Sequence, residues 1–120
     1  MRRMLFTNPD YLDFTEGQNT FRKGTKWSDV EIGEKIELAL VDLNTNVETV
    51  VGEARVAGVV VGKLVGLLGR HAHSNHETFS LGPNAYADDA LLKILKRCYP
   101  GTSTEDIFTA VYLDRTPEVF

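Results

Sequence analysis

From residue 35 the chain alternates. Ile36, Leu38 and Leu40 fall on one side and Lys35, Glu37 and Ala39 on the other, the period of two expected of a half-buried strand over 35–41. Turn formers fill 42–46, and 47–51 reads as the returning arm of a hairpin, with Gly52 a break or a bulge. Residues 53–57 alternate again, and the β-branched run 58–61 reads as a buried strand end. Upstream, 4–7 predicts a short edge strand stopped by Asn8-Pro9-Asp10, and Tyr11, Leu12 and Phe14 suit one helical turn. Residues 16–19 make a turn into a strand at 20–22. That strand turns at Lys23-Gly24 into a polar loop, and Ile32-Gly33-Glu34 turns the chain again.

The second half changes period. Residues 63–68 are a short apolar run between glycines and are read as a short helix, followed by a polar connector at 69–77 and irregular chain at 78–83. A helix beginning at Asn84 or Ala85 and ending at Cys98 carries Ala87, Leu91, Ile94, Leu95 and Cys98 as its apolar stripe. Asp88 and Asp89 lie early in it and Lys93, Lys96 and Arg97 late, which suits the helix dipole; Tyr99-Pro100-Gly101 stops it. Residues 106–113 are apolar on both faces and predict a central strand covered on two sides, and 116–120 reads as a tail. The expected fold is α+β: a curled barrel of five or six mostly antiparallel strands, one main helix packed by Leu91 and Leu95, and one or two short helices.

A length of 120 residues corresponds to a single domain able to bury a core without crosslinks. Its core is expected at about residues 19–114. The net charge of −4 means that anion binding has to come from a local cluster of cations. One cysteine, Cys98, excludes an internal disulfide and a cysteine-based zinc site; its place at a helix end suggests a small buried hydrophobe. No apolar run of signal or membrane-spanning length occurs. The expected setting is reducing and cytoplasmic, with no membrane partner. There is no GxSxG, Walker loop or GxGxxG, and no cofactor is expected.

The cluster that changes this picture is Arg22, Lys23 and Lys26 beside Trp27, three cations and an indole within six residues. Arg22 can clamp a phosphate or stack on a base, the lysines can add phosphate contacts, and Trp27 can offer a stacking face. The plainer reading makes Arg22 a structural ion pair, leaves the lysines solvated and puts Trp27 in the core. A second cluster, His71, His73, His76 and Glu77, has the residue types of a metal site but not the spacing of one, so no metal is expected. A histidine such as His71 or His73, or Glu77, facing a cleft as a hydrogen-bonding or acid–base group is the nearer functional reading.

Thr-Phe-Arg, the basic glycine loop, Ile-Gly-Glu before an alternating strand, Gly-Glu-Ala-Arg-Val, a helix ending in Tyr-Pro-Gly and a final apolar strand follow in order from about Thr20 to Leu113. In that order and spacing the chain resembles the ASCH domain of the PUA-like superfamily. The resemblance implies a β-barrel associated with RNA, with its cleft between barrel and helices. One bacterial branch of the family removes the acetyl group of acetylcytidine with a lysine, a threonine and a glutamate. The resemblance implies Thr20 for the threonine, Arg22 for the branch's arginine and, after a shift, Glu77 for the carboxylate. The lysine position is Gly17 by spacing, so Lys23 or Lys26 would have to supply the amine.

Three expectations result. The first is an RNA- or nucleotide-binding module whose cleft is lined by Thr20, Arg22, Lys26 and the 71–77 connector. The second is an amidohydrolase of an acylated nucleoside using Thr20, Lys26 and Glu77. The third is a protein-interaction barrel with an acidic surface.

Overall fold

The computed structural model describes residues 1–10, 12, 14, 17–81 and 85–115, with nothing stated of the side chain of Ala85. Its elements are β1 (Arg2–Phe6), β2 (Asn19–Lys23), β3 (Lys35–Val41), β4 (Glu48–Lys63), α1 (Leu64–His71), α2 (Ala85–Cys98) and β5 (Ile107–Asp114), with 3-10 turns at Ala72–Ser74 and Phe79–Leu81. The five strands form one sheet in the order β1-β3-β4-β5-β2. Three of its pairings are antiparallel, and β1 runs parallel to β3. The protein is therefore α+β with a mixed, curled sheet and two α-helices among the described residues. None of those helices is long and apolar enough to cross a membrane.

The curl originates in β4. Its first half pairs with β3 and its second half with β5. The register slips where Leu38 faces Gly52 and Ala39 faces Val50, leaving Val51 as an extra residue, and again where Val56 faces Leu113 and Gly58 faces Tyr112, leaving Ala57. Each bulge bends and twists the strand. Gly52 thus lies inside a continuous strand rather than ending one, and the two arms expected at 47–51 and 53–61 are a single element. A Cβ at Gly52 would lie 2.4 Å from Nη2 of Arg115, whose side chain crosses that point.

Strand β5 has two apolar faces because it has two cores to serve. Phe108 and Ala110 join Phe21, Leu64, Leu67, Leu68, Leu91 and Leu95 between the sheet and the helices. Val111 and Leu113 point the other way, into the inside of the curl, with Met4, Phe6, Phe14, Trp27, Ile36, Leu38 and Val56. Helix α2 packs by Ala87, Leu91 and Leu95, the stripe its period predicts. Of the run expected as a helix at 63–68, Lys63 ends β4 and 64–68 are helical, and α1 continues to His71, taking in part of the expected connector. Leu12 and Phe14 are buried, whereas Tyr11, the Asn84 start of the helix and the 116–120 tail lie outside the described residues.

Candidate functional site

The curled sheet has two end strands, β1 and β2, and its seam lies between them. Asn19 to Lys23 pair with β5, and alternation turns Phe21 toward the helices and Thr20 and Arg22 toward the seam. There Arg22 spans the gap. Its Nη1 donates to the Leu5 carbonyl of β1 (2.7 Å), its Nε donates to Thr20 Oγ1 (3.2 Å), and its Cζ lies 4.5 Å from the Phe6 ring centroid.

At this seam a cleft of about 230 Å³ opens, bounded by the end of β1 and Asn8, by Thr20 and Arg22, by Asn75 to Glu77, and by Leu91, Ile94, Leu95, Cys98 and Tyr99. The end of α1 and the turn after it bring Glu77 into place. Asn75 bridges to Asn19, the His76 amide donates to the Asn19 carbonyl (2.9 Å), and the Glu77 amide donates to Asn75 Oδ1 (2.9 Å). Asn8 Nδ2 then donates to Glu77 Oε1 at 3.2 Å. The cleft therefore holds a carboxylate and a guanidinium with spare capacity. Among the described residues no protein donor reaches Glu77 Oε2, and no protein acceptor reaches the Nη2 edge of Arg22.

Electrostatics couple the cleft residues. Burial pushes the Arg22 guanidinium below its ordinary value, opposed by Tyr99, Cys98 and Glu77. Burial and then Glu77 push the Cys98 thiol up, opposed by Arg97 and Arg22. Cys98 is exposed at the rim rather than buried as its position suggested.

Of the residues singled out in the sequence, Thr20, Arg22 and Glu77 meet in this cleft. The others go elsewhere. Lys23 lies on the opposite face of β2, where Nζ donates to Thr102 Oγ1 (3.3 Å) and sits 3.3 Å from Asp106. Lys26 is 5.9 Å from the Trp27 centroid, and Trp27 is buried in the inner core with Arg2 over its ring at 4.4 Å. His71 Nδ1 hydrogen-bonds Tyr112 Oη at 2.6 Å. His73 lines a separate concavity with Gly17. Among the described residues no group of three or more histidines, cysteines or carboxylates is arranged to hold a metal.

Asn8 was missed in the sequence, where it reads as punctuation before a proline; it carries no local signal, because its partner Glu77 is distant in sequence. Of the three histidines in the expected 71–77 connector, His76 is the one that lines the cleft, its ring stacked on Phe14 (5.0 Å) and edge-on to Phe6 (5.5 Å). A larger concavity of about 620 Å³ beside the β3–β4 hairpin is lined by Thr7, Pro9, Leu40, Val47 and others, with Asp42 as its charged group.

Fold and cleft together define a small α+β domain with an arginine–glutamate cleft at the seam of a curled sheet. Neither a family model nor a curated protein matches the chain.

Proposed function

We propose that this protein is an ASCH-type, PUA-like module that binds RNA or a nucleotide, with a base held in the seam cleft. The observation that carries the reading is the pairing, in one cleft, of an open guanidinium edge on Arg22 with an open carboxylate oxygen on Glu77. A nucleobase edge mixes acceptors and donors and can satisfy both groups at once. The apolar wall from α2 suits a ring face, and a volume of about 230 Å³ is below the ~300–1,000 Å³ of pockets that enclose drug-sized ligands. One ring system fits better than a larger ligand.

The amidohydrolase reading is second. Thr20 and Glu77 line the cleft, yet among the described residues no lysine does; Lys23 is engaged by Thr102 and Asp106, and Lys26 lies beside Trp27. Without that amine, the residues of the acetylcytidine chemistry are incomplete. The test is titration calorimetry with the common nucleosides, their monophosphates and short oligoribonucleotides, alongside incubation with acetylcytidine. Binding that falls about tenfold or more on Glu77→Gln is expected, with acetylcytidine returned intact. If no probe binds the wild type, or the variant binds equally, the cleft is not the site. Release of acetate would put the enzyme reading first.

A further inference from the structure

We propose that the solvent side of α2 is a phosphate track, so that the partner is a single-stranded nucleic acid whose backbone crosses α2 while a base enters the cleft. This rests on the base-binding reading above and specifies it: a strand, not a free nucleoside.

Several of the thirteen lysines and arginines of this acidic chain are neutralised in place. Arg2, Arg3, Lys23 and Lys63 each meet a carboxylate at 2.6–3.3 Å. Lys93, Lys96 and Arg97 are exposed, and among the described residues none of them has an ion-pair partner, not even Asp89 one turn before Lys93. Helical spacing gathers the three on one arc. Ile94 and Cys98, four residues apart, line the cleft. Lys93 and Arg97 form the adjacent row, about 6 Å from each other along the axis at ~1.5 Å per residue, a step comparable to that between neighbouring phosphates of an extended strand. Arg97 lies close enough to the rim for its charge to act on Cys98.

Glu77 gives the ligand a direction. A carboxylate in the cleft repels a phosphate but accepts from a base, so the base points inward and the backbone remains outside, over the cations. Late-helix cations also complement the helix dipole, a role that requires no ligand, and the experiment has to separate the two.

Anisotropy of a labelled short oligouridylate is measured across a salt series with wild type, with the triple variant Lys93→Gln/Lys96→Gln/Arg97→Gln, and with Lys35→Gln, which removes an exposed cation on β3. Nucleoside binding is measured in parallel by calorimetry, and melting of each variant is recorded separately. The slope of log affinity on log salt should fall by about 2 in the triple variant, at ~0.7 per phosphate contact of a single strand. It should stay unchanged in Lys35→Gln, while nucleosides bind all three proteins alike. A triple variant with the wild-type slope and intact nucleoside binding overturns the track and spares the cleft. Absence of binding by the wild type to nucleosides and oligomer alike overturns the cleft reading and the track with it.

Discussion

Arg22 does two things that the sequence could only offer as alternatives. It faces the cleft, and it also ties β2 to β1 through the Leu5 carbonyl and the Phe6 ring. Its removal should therefore affect both binding and stability. Arg22→Ala should lose about 1–3 kcal/mol of stability, the scale of a charge-assisted hydrogen bond with a cation–π contact, and should bind more weakly by about tenfold or more. Arg22→Lys should recover stability in part and binding less, since an ammonium keeps the charge but not the planar fork. Urea unfolding and ligand titration on the same samples check both, and a weak-binding variant with wild-type stability would show that the seam contacts contribute nothing. His71 gives a pH dependence. Burial, with His73 and Arg70 nearby, holds its imidazole below the ordinary value, and the neutral Nδ1 can accept from the Tyr112 hydroxyl. The unfolded chain then takes up this proton first as pH falls. The stabilisation is complete above the unfolded value near ~6.5 and is lost as pH drops from there toward the folded value. Melting at about pH 7.5 and about pH 5.5 should differ less in His71→Gln than in wild type; an equal difference would remove His71 from the acid response.

The elements legible in the sequence are those whose signals are local. Helix α2 declares itself by period, charge order and the Pro100-Gly101 stop, and its Leu91–Leu95 face packs as its spacing requires. Strand β3 follows from five consecutive alternations. The length of β4 was hidden because a glycine and two bulges look like a break in one dimension, although in the sheet they are the bends that let one strand serve two neighbours. The parallel β1–β3 pair had no local mark, since Arg2 and Ile36 are brought together only by the fold. The same separation explains the site. Thr20, Arg22 and the 71–77 connector could be singled out in the sequence, whereas Asn8 comes from a turn and meets Glu77 only in the fold. Leu91 joins the two levels, because it is buried in the helix–sheet core and also lines the cleft. Leu91→Ala should lose about 2–5 kcal/mol, as large-to-small core changes do, and should weaken base binding as the apolar wall recedes. Leu67→Ala, in the same core but away from the cleft, should destabilise comparably and bind normally once corrected for the unfolded fraction. Equal binding losses in both would mean that the wall is not part of the site.

Stability should be uneven across the whole molecule, and the seam is where it thins. Strand β5 is paired on both edges and buried on both faces, so its amides should open only with global unfolding. Strand β1 is paired to β3 along one edge from Arg2 to Phe6, and across its other edge the seam is bridged by the side chain of Arg22. Its Met4 and Phe6 side chains anchor it in the inner core, but among the described residues its outer edge has no neighbouring strand. Hydrogen exchange should therefore be fastest in β1 among the five strands, slower in β3, and slowest in β5. A ligand in the cleft touches both sides of that seam, with Leu5, Phe6 and Asn8 on one wall and Thr20 and Arg22 on the other. Binding should slow exchange in β1 and in the turn that carries Glu77, by roughly the factor 1 + [L]/Kd expected when a ligand binds only the closed form, and leave β5 at its global rate until the whole protein is stabilised. Exchange mass spectrometry with and without a saturating oligoribonucleotide reads this directly. If β1 exchanges as slowly as β5 in the free protein, the seam is a closed wall. If ligand protects the β3–β4 hairpin instead, the binding surface is the concavity around Thr7, Leu40 and Val47, and the seam arginine serves only the fold.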